Sequence, residues 1–169
     1  MYKVYINIAS KNSNNIYEEQ AMQKLLKEVE TNLLKEDKYI VYNGVDKTTD
    51  EAIDESNKIG SDLHLVLQNT TGSSKGPVVF IKTGDDMSNG FGKEIYKEIM
   101  KIYNDKSVDN AIDFDTKISE IEKSPKSGVA TLLYSVDNKK DSQWFMNNIN
   151  LIALAITNGI IKGFALRPC

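Results

Sequence analysis

The sequence predicts an α/β fold: a single domain over residues 1–169, with a mostly parallel, twisted sheet flanked by helices on both faces. Three observations predict it. Short runs rich in Val, Ile, Leu and Tyr alternate with longer stretches whose apolar residues recur every three or four positions, the order that builds parallel sheets. The candidate strands at 62–67 and 129–136 are apolar in both phases, as strands covered on both faces are. The chain has 169 residues, 40% hydrophobic and 27% charged, which is one domain's worth and enough to close a core without a disulfide or a metal.

The elements follow in order. Residues 2–8, YKVYINI, form a first strand. After a polar loop, a helix over 16–34 keeps Ala21, Met22, Leu25, Leu26, Val29 and Leu33 on one face. Asn14 or Asn15 caps it, and Glu18 and Glu19 stand in its first turn, where the helix dipole favours anions. Residues 38–43 form a second strand, and 46–61 hold a second helix with a Thr cap and Gly60 as its stop. The strand at 62–67 ends at Gln68 and Asn69, whose polar side chains stand at its C-terminal edge, the edge where open α/β sheets bind ligands. A Gly/Ser loop leads to its partner strand at 77–82. A turn at 84–89 precedes a third helix at about 89–104, with Phe91, Ile95, Ile99, Ile102 and Tyr103 on one face. Residues 105–128 read as a long loop with one short strand near 117–121. A strand at 129–136 and a closing helix at 141–163, ended by Gly163, complete the chain. No internal repeat, low-complexity tract or linker interrupts it.

Composition excludes several classes. The net charge is −3 and no basic stripe is present, so nucleic acid is not an expected partner. Arg167 is the single arginine among 21 basic residues, which leaves no guanidinium clamp for carboxylate or phosphate inside the domain. Cys169 is the one cysteine, so no intrachain disulfide forms. No signal peptide is read in this chain and no run approaches the roughly 18 apolar residues of a membrane span, so cytoplasmic synthesis and no membrane span are expected.

Residue chemistry offers few sites. His64, the only histidine, lies in phase with Val66 and Gln68 and reads as a packed histidine hydrogen-bonded in the sheet. As a relocated metal ligand it lacks partners, because one His and one terminal Cys make no His/Cys zinc cluster. Ser10 with His64 and an Asp has no nucleophile-elbow motif around it. Asp85, Asp86, Asp113 and Asp115 lack the spacing of a calcium loop and read as solvated loop residues. The stretch Gly72-Ser73-Ser74-Lys75-Gly76 is no P-loop, since it precedes a strand. Gln68, Asn69 and Tyr134 are either ordinary strand-end polar residues or the lining of a sugar-binding groove.

The order of segments, and several local stretches, resemble a known family. Ile59-Gly60-Ser61-Asp62-Leu63-His64-Leu65-Val66-Leu67-Gln68-Asn69 is similar to an Ala-Asp-Leu strand ending in a His-x-Asn zinc motif. Gly76-Pro77-Val78-Val79-Phe80 looks like a Gly-x-Glu strand, and Gly92-Lys93-Glu94-Ile95-Tyr96 matches the helix after it in position. Ser127-Gly128-Val129-Ala130-Thr131-Leu132-Leu133-Tyr134 resembles a Pro-Ala-x-Leu-x-Glu strand, and 149–163 a C-terminal helix. These are patterns of the zinc-dependent N-acetylmuramoyl-L-alanine amidases of type 3, the kind that includes clostridial phage endolysin catalytic domains. The resemblance spans essentially the whole chain and implies an amidase-like domain.

It also implies a site: His, Glu and His hold zinc, and a further Glu moves a proton from the metal-bound water to the leaving amine. Carried over by position, the first His falls on Ser10, the Glu on Glu18 (with Glu19 one register away), the second His on Gln68 and the catalytic Glu on Tyr134. One of four is retained. Ser and the Gln amide are poor zinc ligands beside imidazole, and a tyrosine with an ordinary pKa near 10 is a weak base at neutral pH. No cofactor is therefore expected and no catalytic residue is expected to function. The expectation is a pseudo-amidase whose groove, bounded by Ser10, Glu18, Gln68, Asn69 and Tyr134, binds a peptidoglycan fragment, or whose surface docks another cell-wall protein. The alternatives are an active amidase with a divergent zinc site, and a structural or assembly subunit. Action at the cell wall fits the first two.

Overall fold

The computed structural model describes residues 1–9, 15–103, 105 and 112–166. Strand β1 (Tyr2–Ile8) leads to helix α1 (Ile16–Leu34), β2 (Tyr39–Asn43), α2 (Thr49–Ile59) and β3 (Leu63–Thr70). Then follow β4 (Val78–Ile81), α3 (Asp86–Met100), β5 (Ile112–Asp113), α4 (Ser119–Glu122), β6 (Ser127–Ser135) and α5 (Lys139–Ala165). The six strands form one sheet in the order β2-β1-β3-β6-β4-β5. β1, β2, β3 and β6 run parallel, and β4 lies antiparallel to β6. The fold is the mostly parallel α/β sheet that the sequence predicts.

Local chemistry sets the helix starts. Asn15 caps α1 by accepting from the Tyr17 N–H, and Thr48 opens α2 in a capping box with Glu51. Gly60 ends α2 in the left-handed conformation at φ 64°, which a side chain would make costly. The apolar residues predicted for α1 are all buried. They meet Val4, Ile6, Leu63, Leu65, Leu67 and Val129 of the sheet in one core, which α3 and α5 complete with Phe91, Ile95, Phe145, Ile152 and Ile156. α5 is long and apolar enough to cross a membrane by length and composition, but it is largely buried here, as a core helix is. The opposite face carries a smaller cluster of Val66, Ala130 and Ile121, with Phe80 and Ile118 against it. α2 and α4 cover that face, so helices lie on both.

Four expectations are corrected. The strand at 77–82 is not the partner of the strand before it, because β6 inserts between β3 and β4. The expected strand near 117–121 is the short helix α4, whose Ile121 packs with Val66 and Ala130. The expected turn at 84–89 is mostly helix: Asp85 accepts from the Ser88 N–H and starts α3 at Asp86, which then ends at Met100. β3 runs on to Thr70, one residue past the Gln68–Asn69 end that the sequence predicts, so both residues stand inside the last part of the strand.

Candidate functional site

The parallel strands β1, β3 and β6 end together, and an irregularity in their pairing shapes that edge. Gln68 stands opposite Leu132 and Thr70 opposite Ser135, so Asn69 faces two residues of β6, Leu133 and Tyr134. This is a β-bulge, which adds a residue to one strand and re-aims its side chains. It brings Asn69 and Tyr134 together: the Asn69 Nδ2 donates to the Tyr134 hydroxyl at 3.3 Å, with both side chains buried. The Tyr134 ring stacks on Phe145 of α5 at 4.4 Å between centroids. Burial pushes the Tyr134 hydroxyl above its ordinary pKa; the Asn69 hydrogen bond works against this, and the Glu18 charge adds to it.

Glu18 therefore acts on the same place from the first turn of α1, half-buried, while Glu19 is exposed and accepts from Gln23. Ser10, the remaining position, lies outside the described residues, as do Asn14, Arg167 and Cys169. Gln68 is half-buried and opens on the α4 side of the edge. There it lines a cleft of about 400 Å3 together with Ala9, Asn69, Phe80 and Glu120. Asn69 is thus shared between the buried Tyr134 pair and the open cleft.

Sequence reading missed Glu120. It is 3% exposed, and its Oε1 accepts from the Nδ2 of Asn7 at 2.7 Å and from the Nε2 of His64 at 2.9 Å. His64 is thus packed as expected, but its partner is a helix carboxylate rather than the sheet. Beside it the Tyr5 ring lies 5.0 Å away and donates its hydroxyl to Glu55 of α2. The signal was weak: Glu120 sits in the stretch with no readable periodicity, and only the placement of α4 brings it to the sheet.

The other candidates resolve into structural roles. Asp113 accepts from the Asp115 and Thr116 N–H groups and from the Thr116 hydroxyl, a local turn, and these bonds hold its carboxyl below the ordinary range. The Gly/Ser loop is pinned rather than open: the Gly72 N–H donates to Asp137 and the Gly76 N–H to the buried Asp141. Asp141 also accepts from the Tyr103 hydroxyl and caps the loop against α5.

The described residues at the edge do not make a zinc site. Glu18 brings one carboxylate from α1, Gln68 and Asn69 offer neutral amides, Tyr134 is an enclosed neutral phenol, and the one imidazole is committed to Glu120. Among the described residues no three His, Cys, Asp or Glu side chains gather as a ligand set.

No family model matches the sequence, and no curated protein matches it. Solved structures do. The chain is similar to the CwlD amidase of Clostridioides difficile, solved in complex with the GerS lipoprotein, with a TM-score of 0.78 at 12% identity over 99% of this chain and 100% of that one. It is similar to the catalytic domain of CwlV, an N-acetylmuramoyl-L-alanine amidase of Bacillus (Paenibacillus) polymyxa var. colistinus, with a TM-score of 0.77 at 17% identity over 99% and 100%. The catalytic domain of the CD27L endolysin, which targets Clostridia difficile, gives 0.74 at 16% identity over 95% and 97%. The chain has the N-acetylmuramoyl-L-alanine amidase fold over nearly its full length.

Proposed function

We propose that this chain is a non-catalytic amidase-fold protein that binds peptidoglycan fragments at the C-terminal edge of its sheet and acts at the cell wall. One observation carries the reading. The position that the resemblance gives to the catalytic carboxylate holds Tyr134, fully enclosed, stacked on Phe145 and with its hydroxyl pushed up. Such a group neither takes a proton at neutral pH nor reaches a substrate. The framework around it is intact, and the open neighbour, Gln68, presents neutral hydrogen-bonding groups.

The test pairs binding with turnover. Purified peptidoglycan incubated with the protein and excess zinc is expected to retain it in a pull-down and to release no L-alanine-linked peptide. Gln68→Ala is expected to weaken retention. Release of such peptides, with one zinc held per chain after desalting, would overturn the reading in favour of an active enzyme. A protein partner is the second reading, supported by the lipoprotein bound to the similar CwlD amidase. Loss of wall binding with capture of a single wall protein would favour it.

A further inference from the structure

We infer that the cleft between the end of β3, β4 and α4 is a binding site for a primary ammonium group on an aliphatic stem, with Glu120 as its counter-ion. The Glu120 carboxylate is almost wholly buried. Both neighbours, Asn7 and His64, donate to the same oxygen, Oε1. Oε2 carries no hydrogen bond among the described residues, yet it is not an enclosed unpaired atom, and Glu120 lines the cleft. A nearly buried carboxylate thus opens one oxygen into a cavity.

Among the described residues the cleft itself offers it no cation. His64 donates through Nε2, while its Nδ1 is enclosed and meets no partner. The other described side chains lining the cleft are all neutral. A carboxylate oxygen left bare in such a place is costly, and a cation delivered by a ligand lowers that cost.

The rest of the cleft matches the same ligand. Gln68 lines the same cleft with a neutral amide. An ammonium group has three donors and no acceptor, the complement of a bare carboxylate oxygen. Phe80, Ile118 and Leu132 supply apolar wall for a methylene stem. An anionic ligand meets Glu120's repulsion, and a neutral alcohol leaves the charge unpaired. The cleft shares Gln68 and Asn69 with the proposed wall-binding edge, but the inference does not require a wall fragment as ligand. Failure of peptidoglycan to bind would leave it standing, and failure of amines to bind would leave wall binding standing.

The experiment is a titration of the 15N-labelled protein, followed by amide shifts, with n-butylamine and with its neutral counterpart n-butanol. At about pH 7 the amine is charged. The expected result is saturable movement of the Thr70, Ser119 and Glu120 amides by the amine, with n-butanol weaker by about tenfold or more. Nα-acetyl-L-lysinamide is the third ligand: tighter binding than n-butylamine assigns a lysine side chain of a peptide, and the reverse order assigns a small free amine. Glu120→Gln is expected to erase the preference for amine over alcohol. Should that variant disturb the buried Asn7–His64 layer, Thr49→Lys places a cation in the cleft without touching it and is expected to weaken the amine by a similar factor. Equal binding of n-butanol and n-butylamine, or an unchanged amine preference in folded Glu120→Gln, would overturn the inference.

Discussion

At the scale of single residues, the bulge opposite Asn69 decides what this edge can do. It turns Tyr134 inward onto Phe145, so the hydroxyl serves Asn69 rather than a ligand. Replacing it by Phe keeps the stack and strips Asn69 of its acceptor. Tyr134→Phe is expected to lower stability by about 1–2 kcal/mol, the cost of leaving a buried amide donor unpaired. Urea denaturation measures it, and a neutral result would mean that Asn69 turns to a new partner. Part of this site was legible beforehand. Gln68 and Asn69 stand out as the polar end of an apolar strand, and Tyr134 and Glu18 follow from the amidase register. Glu120 was not legible. Its role depends on Asn7 and His64 sharing one face of adjacent strands and on α4 falling opposite them, which are relations across more than 50 residues.

At the scale of elements, the contact of α3 with α5 is the tightest joint in the fold. A Cβ at Gly159 would lie 2.5 Å from the Ile95 Cα, and one at Gly163 would lie 2.2 Å from the Phe91 ring. Gly159→Ala meets backbone, which cannot step aside, and is expected to cost about 1–3 kcal/mol or more by overpacking. Gly163→Ala meets a side chain that can tilt and is expected to cost less. A pair of thermal melts ranks them, and the reverse order would show that α5 shifts as a body. An ion cluster bridges the same helices: Glu98 of α3 accepts from Lys101 at 2.6 Å and from Lys162 of α5 at 2.5 Å. Those bonds, Lys101 first, hold the Glu98 carboxyl below its ordinary range. A depressed carboxyl adds stability above its unfolded pKa, near 4.3, and loses it as the pH falls through the lower folded value. Glu98→Gln is expected to cost about 1–2 kcal/mol at neutral pH, at the low end because both lysines are half exposed, and less at about pH 3. Denaturation midpoints at the two pH values check this. The helices at this joint were readable from their 3–4 spacing and caps. The four residues of α4 are too few to show a period, and the insertion of β6 beside β3 leaves no local mark, because strand order is set by pairing between distant segments.

At the scale of the whole molecule, four tyrosines tie distant parts of the fold to one proton balance. Tyr5 lies between the sheet and α2, Tyr39 on β2, Tyr103 after α3 and Tyr134 on β6. Burial raises the hydroxyl pKa of each. Tyr5 and Tyr103 are raised further because each donates to a carboxylate, Glu55 and Asp141. The sign follows from the proton count. Above about pH 10 the unfolded chain releases these phenolic protons while the folded chain keeps them, so stability falls as the pH rises. Below that pH the contribution is present in full. Because the four sites sit on both faces of one sheet, their ionisation is expected to accompany global unfolding rather than precede it. Stopped-flow absorbance of tyrosinate after a jump from neutral to about pH 12 should then show a slow phase that matches the loss of helical circular dichroism. Tyr103→Phe should shrink that phase and leave Asp141 holding Gly76 and the α5 cap with one donor fewer. Immediate appearance of the whole tyrosinate signal, ahead of the dichroism change, would show that these hydroxyls reach solvent without opening the core.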